Sequence, residues 1–411
     1  MSDNAKVEIF DIHVCLSDGS TMVGGNLAVM SDSRGRIETT QFRYTDEYLE
    51  SKAAYAFSPI GPALTKGIFT YESAGREFAG FVDDILPDDW GRKIIATRLK
   101  TRFVDTLTVL RHMGEGVSTG AYRLTPKGRN PNWELGISYQ YAQGIADDIY
   151  SGQLEKLGDH ANDIGLLLKG GSGSGGARPK LLVTDEDEAY ILKLNKKSDD
   201  YNMAAVEWAS LETMRIANLD VAESKLTKFA KNIEGIMVKR FDLASNGAHK
   251  PMATINGMLK NPVDQVDPMY GTYEDIADCI RLHSFQPEKD LMQLLGQLLV
   301  NQALANTDDH LRNFSMIRQA EGWRLSPAYD VLPQQLFSTE HAIGFNGSTY
   351  LPKLEEGIAT GKQLGLSAKK AGIVVDNVKT GLREWPNLLL KAGVEDEKLL
   401  SLVLNTQGTA I

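Results

Sequence analysis

The sequence predicts an α+β fold of two lobes, with a β-rich N-terminal subdomain and a mainly helical C-terminal lobe. Three observations predict it. The chain begins with segments in which polar and apolar residues alternate, its middle contains a Gly/Ser-rich stretch followed by a β-hairpin pattern, and residues 273–306 have helical spacing. A chain of 411 residues is also too long to fold around a single small hydrophobic core. We therefore expect three parts, at 1–125, 126–242 and 243–411.

The composition is that of an ordinary globular protein, and it argues against several classes of protein. Hydrophobic residues make up 42% of the chain and charged residues 24%. A net charge of −10 argues against a broad basic surface that binds nucleic acid unaided. Only Cys15 and Cys279 are present, so we expect no disulfide framework and a reduced, cytoplasmic setting. The apolar run 291–299 is too short to span a membrane, and the N-terminus lacks a signal-peptide pattern.

Strands are predicted at 7–16, 21–30 and 37–44, where His13 is better interpreted as a half-buried sheet residue than as a ligand.

Helices are predicted at 78–86, 88–98, 106–113 and 159–168, and a strand at 121–125. The helical part carries four acidic residues, for which we expect helix capping and a solvated surface: Asp83, Asp84, Asp88 and Asp89.

The stretch 169–180 reads Lys-Gly-Gly-Ser-Gly-Ser-Gly-Gly-Ala-Arg-Pro-Lys and is too rich in glycine to form a regular element cheaply. Taken alone it is typical of a flexible linker. Because a predicted hairpin follows at once, however, its backbone N–H groups could approach phosphates. The candidate phosphate-binding residues are Gly175, Gly176 and Lys180. The stretch is not a Walker A motif, since neither Gly-Lys-Ser/Thr nor a helix follows it.

Lys193 lies in an otherwise apolar predicted strand, 190–194, and can either reach solvent or point at an anion. A helix is predicted over 203–219, where Glu207 is either an ordinary surface residue or an ion-pair partner for Lys193. A further apolar strand, 235–242, ends in charged residues.

The stretch 304–313 reads Leu-Ala-Asn-Thr-Asp-Asp-His-Leu-Arg-Asn, in which Asp308 and Asn313 are five residues apart, and Asp330 follows after a predicted hairpin. This spacing is that of a protein-kinase catalytic loop and its second magnesium ligand. Phosphoryl transfer needs a carboxylate near the attacking hydroxyl and hard oxygen ligands for Mg²⁺. The spacing alone also fits a solvated turn. The Gly-rich loop and Lys193, which precede it in the chain, favour the catalytic interpretation.

In the rest of the C-terminal part, 245–267 is predicted to be irregular. Helices are predicted at 273–284, 290–306, 369–384 and 396–405, and a short hairpin at 314–317 and 323–325.

Together these stretches resemble the HipA family, the kinase toxins of bacterial HipBA-type toxin–antitoxin systems. The resemblance covers most of the chain. Its motifs are Phe-Val-Asp-Asp-Ile-Leu-Pro-Asp-Asp-Trp-Gly-Arg at 81–92, Gly-Gly-Ala-Arg-Pro-Lys at 175–180, Arg-Phe-Asp at 240–242, Asn-Thr-Asp-Asp-His-Leu-Arg-Asn-Phe-Ser at 306–315 and Leu-Ser-Pro-Ala-Tyr-Asp-Val-Leu at 325–332.

The resemblance implies a two-lobed, protein-kinase-like fold that uses ATP and Mg²⁺. Carried over by motif, Asp308 is the catalytic base and His310 supports its loop. Asn313 and Asp330 then hold Mg²⁺, and Lys193 contacts the phosphates.

The same resemblance places the backbone of Lys239, Arg240 and Phe241 beside adenine. It also implies autophosphorylation of a serine in the Gly-rich loop, which switches the enzyme off. The family position falls on Gly173 here, between Ser172 and Ser174. Either of these serines is therefore a candidate.

Family members phosphorylate Ser or Thr of a protein, aminoacyl-tRNA synthetases among them, and are neutralised by a DNA-binding antitoxin. The expected partners are thus a protein substrate and a HipB-like helix-turn-helix antitoxin, with DNA met only through the antitoxin and no membrane. Three alternatives stay open: a small-molecule kinase, a non-catalytic kinase-like scaffold in an antitoxin–operator complex, and a metallohydrolase built on Asp308, Asp309 and His310. The last is weaker because adjacent helical residues point about 100° apart.

Overall fold

The computed structural model describes residues 6–72, 77–116, 118–153, 178–259, 271–334 and 340–403. Within these ranges, strands dominate the N-terminal part and helices the C-terminal part, as predicted. None of the helices described is both long and apolar enough to cross a lipid bilayer.

The N-terminal part is an antiparallel sheet with helices packed on it. Its strands, in the spatial order β4-β3-β2-β1-β5, are β1 (Lys6–Cys15), β2 (Thr21–Ser31), β3 (Ile37–Tyr44), β4 (Phe69–Tyr71) and β5 (Tyr122–Pro126). Its helices are α1 (Asp46–Glu50), α2 (Gly80–Ile85), α3 (Asp89–Arg98) and α4 (Thr106–His112). Aromatic rings such as Phe42, Phe57 and Phe81 pack edge-on or tilted in its core. His13 is a buried residue of β1, close to Thr125 Oγ1 at 3.1 Å, which fits the predicted sheet role.

The second sheet contains the hairpin predicted after the Gly-rich loop. Its strands, in the order β6-β7-β8-β10-β9, are β6 (Ile137–Ser138), β7 (Lys180–Asp185), β8 (Glu188–Leu194), β9 (Ser224–Lys228) and β10 (Glu234–Lys239). Helices α5 (Tyr139–Tyr150) and α6 (Met203–Ile216) accompany it. Strands β7 and β8 pair in a register that sets Lys180 directly opposite Lys193.

The C-terminal part is built from helices around one large apolar core. These are α7 (Ile255–Leu259), α8 (Tyr273–His283), α9 (Pro287–Ala303), α10 (Gly357–Gln363), α11 (Ala368–Lys391) and α12 (Glu397–Ser401). A three-stranded sheet lies at one edge, in the order β11 (Met252–Thr254), β12 (Ser315–Arg318) and β13 (Trp323–Leu325). The same core includes α6, whose backbone approaches α11 so closely that a Cβ on Gly381 would lie 2.4 Å from Thr213 O.

Several predictions about local structure were wrong. The segment predicted to be irregular contains β11 and α7, and the strand predicted over 235–242 ends at Lys239. The helix predicted over 159–168 lies outside the described residues.

The acidic residues before and within α3 were only partly predicted. Asp88 does cap α3, since its Oδ1 accepts a hydrogen bond from Gly91 N at 2.9 Å, and Asp89 is exposed. Asp83 and Asp84, however, are buried rather than solvated. Asp84 accepts hydrogen bonds from Thr254 N at 2.8 Å and Thr254 Oγ1 at 2.5 Å, so a partner distant in sequence satisfies this carboxylate.

Candidate active site

The loop after α9 is held from behind by a buried carboxylate. Asp309 is fully buried and accepts a hydrogen bond from Tyr273 OH at 2.6 Å and another from Ala342 N at 3.2 Å. His341 Nδ1 lies 3.0 Å from the same carboxylate. With Asp309 fixed on the inside, the neighbouring Asp308 lies at the wall of a cavity.

This polar cavity brings together the side chains that sequence spacing singled out. Asp308, Asn313 and Asp330 line it along with Lys180 and Lys193. Asp330 has a φ of +57°, a left-handed conformation that is costly for a residue with a side chain. Strain of this kind persists only where the surrounding contacts fix the residue, and here they hold Asp330 in the cavity wall.

Lys193 and its two carboxylate partners form the floor of the cavity. Its Nζ lies 2.5 Å from Glu207 Oε1 on α6 and 2.6 Å from Asp330 Oδ1. Burial alone would lower the pKa of Lys193, but the charges of Asp330 and Glu207 outweigh it and hold that pKa above its usual range. Burial likewise opposes ionisation of Asp330, and the Lys193 and Lys180 ammonium groups lower its pKa nonetheless. Both groups are therefore charged at neutral pH.

Asn313 offers a free oxygen ligand to this cavity. Its Nδ2 donates to the backbone carbonyl of Asp308 at 2.9 Å, which fixes the amide plane. Its Oδ1 is buried and accepts no hydrogen bond from the residues that the structure describes. A buried carbonyl oxygen without a donor is costly unless something else satisfies it. An amide oxygen and the nearby Asp330 carboxylate are ligands that suit Mg²⁺, so the residues present fit that ion.

Asp308 has the electrostatic character of a base that works near neutral pH. Burial raises its pKa, the charges of Asp330 and Asp309 raise it further, and Lys180 opposes them, leaving the pKa at about 7. His310 Nε2 lies 4.0 Å from Asp308 Oδ1 and is itself largely buried, which lowers the pKa of the imidazole. A general base is most effective when its pKa lies near the working pH.

An apolar cavity of about 890 Å³, open to solvent, adjoins the polar one. Ile191, Val238, Phe241 and Met252 contribute to its wall, and Lys180, Lys193 and Asp330 line both cavities. The combined space therefore changes from apolar to charged along its length. A ligand with a flat aromatic group at one end and anionic groups at the other matches this gradient.

The segment after β10 borders the apolar cavity, but much of its polar backbone is already bonded. Lys239 N donates to Glu223 O at 2.7 Å and Arg240 N to Ala189 O at 2.9 Å. The Arg240 side chain is buried in a two-point ion pair with Asp242, at 3.0 and 2.7 Å. Lys239, Arg240 and Phe241 thus line the cavity, while base recognition by their backbone stays a prediction.

Comparison with known proteins identifies the chain. A family model described as "HipA-like C-terminal domain" matches residues 172–385, and one described as "HipA N-terminal domain" matches 21–123. The chain belongs to the HipA family. The first of these matches alone covers more than half of it.

A solved structure shares the fold of this chain. The HipA chain of a Shewanella oneidensis complex of HipA, HipB and operator DNA matches with a TM-score of 0.67 and 17% identity, over 97% of this chain and 94% of that one. At this identity the likeness shows a shared fold, and it confirms the predicted α+β architecture with a β-rich N-terminal region and a helical C-terminal region.

The curated relatives match shorter stretches. A Haemophilus influenzae protein described as "Putative kinase" is 27% identical over 176 residues, 38% of this chain and 50% of that protein. A Sinorhizobium fredii protein, "Putative kinase Y4mE", is 33% identical over 61 residues, 15% of this chain and 14% of that one. This chain thus spans half of the first relative's length and less of the second's.

The structure leaves part of the predicted site of this HipA-family chain undescribed. Gly175, Gly176, Ser172 and Ser174 all lie outside the described residues. Lys180, the last residue of the Gly-rich motif, is described and lines both cavities.

The metallohydrolase alternative receives no support from the described part of the chain. No group of three or more His, Cys, Asp or Glu side chains there is placed to hold a metal ion. Asp309, one of the three residues that alternative needs, is instead committed to holding the loop from inside.

The roles of two acidic residues at the site were not predicted from the sequence. Asp88 lies 3.3 Å from Lys180 Nζ, and Asp84 lines the apolar cavity. The acidic residues between Asp83 and Asp89 could have indicated a role at the site, but their local pattern is also that of a helix cap. The pairing of Lys180 with Lys193 could have been found by counting outward from the hairpin turn at Glu186 and Asp187.

Proposed function

We propose that this HipA-family chain is an ATP-dependent kinase. The observation that carries the proposal is the convergence of Asp308, Asn313 and Asp330 on one charged cavity that opens into an apolar one. Adenine would occupy the apolar cavity and the phosphates the charged one. The "Putative kinase" relatives support this class of activity.

In this proposal each side chain has one task. Asp308 accepts the proton of the attacking hydroxyl, and His310 supports its loop. Asn313 Oδ1 and the Asp330 carboxylate would hold Mg²⁺, which neutralises charge on the transferred phosphoryl group when it is bound. Lys193, fixed by Glu207, contacts the phosphates.

The rest of the proposed ATP site comes from the backbone and the Gly-rich loop. The backbone of Lys239, Arg240 and Phe241 flanks adenine, while Gly175, Gly176 and Lys180 approach the phosphates.

The acceptor in this proposal is a serine or threonine of a protein, possible targets including an aminoacyl-tRNA synthetase. We further propose that the chain is the growth-inhibiting toxin of a type II toxin–antitoxin system in the cytoplasm, bound by a HipB-like antitoxin that contacts DNA. The composition of the Shewanella complex supports this partner class. Autophosphorylation at Ser172 or Ser174 would add about two negative charges to a loop that meets ATP phosphates, and would so weaken nucleotide binding.

Replacing the proposed base tests the enzymatic proposal. Asp308→Asn should lower phosphoryl transfer from labelled ATP by at least about a hundredfold, since a positioned base contributes about 10²–10⁴ to a rate. ATP binding should persist, because the base acts in the transition state. The matched control is Asp376→Asn on the exposed side of α11, which removes the same charge far from both cavities. Equal activity in the two variants would refute the proposed role.

The same assay separates the acceptor classes. Transfer to protein seryl or threonyl groups supports the protein kinase, whereas transfer only to small hydroxyl compounds supports the small-molecule kinase. If wild-type protein transfers phosphate to neither class while still binding an antitoxin, the chain is a kinase-like scaffold.

A further inference from the structure

One short segment of the N-terminal part contacts both halves of the candidate active site. This segment, the acidic segment, runs from Asp83 to Trp90 and contains the second half of α2 and the start of α3. At its end, the Asp88 carboxylate lies 3.3 Å from Lys180 Nζ, and Trp90 Nε1 donates to Lys180 O at 2.8 Å. At its beginning, Asp83 lies 3.6 Å from the guanidinium of Arg312 in the loop that carries Asp308 and Asn313.

Lys180 is in a position that needs such a contact. It pairs directly across β7 and β8 with Lys193, so the two side chains lie on the same face of the sheet. Like charges in this arrangement repel each other, and both side chains are largely buried. Lys193 is held by Glu207 and Asp330. Lys180 forms an ion pair with Asp88, whose carboxylate lies 3.3 Å from the lysine Nζ.

The two oxygens of Asp88 have separate tasks. Oδ1 caps α3 through Gly91 N, and Oδ2 is the oxygen that faces Lys180. Asp88 does not line either cavity, whereas Lys180 lines both. A ligand would therefore meet the Lys180 ammonium group with the Asp88 carboxylate behind it. Asp88 would therefore act on such a ligand through Lys180.

We propose that Asp88 is a positioning residue, which holds the Lys180 ammonium group at the junction of the two cavities so that it can bind the phosphates of a nucleoside triphosphate. This inference rests on the proposed function. Without the Asp88 charge, Lys180 loses one anionic contact, while the carboxylates of Asp308 and Asp330 in the charged cavity still attract its ammonium group. It would then move towards those two carboxylates and be a weaker phosphate ligand. Asp88 thus contributes to nucleotide affinity although it lines neither cavity.

Asp88→Asn isolates this effect, because asparagine caps a helix as well as aspartate does and removes only the charge. Calorimetric titration of the full chain with ATP·Mg²⁺ should show binding weakened by about fivefold to thirtyfold, a factor that corresponds to about 1–2 kcal/mol. Adenosine, which has no phosphates, should bind equally well to wild type and variant. A general loss of structure would weaken both ligands alike, so that result would overturn the inference.

Two further variants complete the experiment. Asp89→Asn is the matched control, since Asp89 is the exposed neighbour with the same charge, and it should leave ATP binding unchanged. In a Lys180→Met background, Asp88→Asn should have no further effect on ATP affinity. The same loss with and without Lys180 would overturn the inference alone. Failure of wild-type protein to bind ATP at all would instead overturn the proposed function, and this inference with it.

Discussion

Asp308 and Asp309 are adjacent acids whose surroundings assign them different tasks. Asp309 faces inward and accepts hydrogen bonds from Tyr273 OH and Ala342 N, so it fixes the loop. Asp308 faces a cavity that it shares with Asp330, where burial and repulsion raise its pKa to about 7. The spacing of the motif alone could not tell which acid faces inward, because that depends on helix α8 and on residues 341–342.

The pKa of Asp308 predicts how activity depends on pH. A base must be deprotonated, so kcat/KM should rise with pH through an apparent pKa of about 7 and level off above it. Lys180 lowers this pKa, so Lys180→Met should move the rising limb to higher pH. Measured pH–rate profiles of the two proteins provide the check. A limb that stays in place, or one that moves to lower pH, contradicts the electrostatic assignment.

At the scale of elements, patterns carried by neighbouring residues were predictable and contacts between distant segments were not. Alternation predicted β1, β2 and β3, and the turn residues predicted the β7–β8 hairpin, because each pattern lies within a few residues. Burial of Asp84 depends on Thr254, 170 residues away, in a segment predicted to be irregular. The capping pattern therefore predicted the role of Asp88 as a helix cap correctly. Its prediction that Asp83 and Asp84 are solvated was wrong.

The contact between α2 and α7 is a contact of backbones. A Cβ on Gly80 would lie 1.7 Å from Gly257 O, so any side chain there must push the two helices apart. Gly80→Ala should therefore lower the free energy of unfolding by about 1–3 kcal/mol, the usual cost of overpacking. Urea denaturation measures this. Gly144→Ala in α5 is the matched control, because nothing lies within 4 Å of its Cβ and alanine favours helix by about 0.5–1 kcal/mol. Equal effects of the two substitutions would contradict this account of the contact.

At the scale of the whole molecule, the N-terminal part and the two cavities are linked through the acidic segment. Asp88 and Trp90 contact β7, while Asp83 contacts the loop that carries Asp308. A ligand that fixes β7 and this loop at once also fixes the two surfaces on which the segment rests. Binding energy at the cavities is then expected to stabilise α2 and α3, although neither helix belongs to the family's C-terminal domain, matched at 172–385.

Hydrogen exchange with and without nucleotide tests this linkage. At a hundredfold excess over Kd, a bound ligand stabilises the state that binds it by about 2.7 kcal/mol, which corresponds to roughly hundredfold slower exchange of linked amides. ATP·Mg²⁺ should thus slow exchange in α2 and α3, and adenosine should do so less, since it leaves Lys180 without phosphates. Strand β3, which borders neither cavity, is the internal control. If only β7, β8 and the loop of Asp308 are protected, the N-terminal part is not coupled to the nucleotide. A coupled segment cannot exchange at the same rate with and without bound nucleotide.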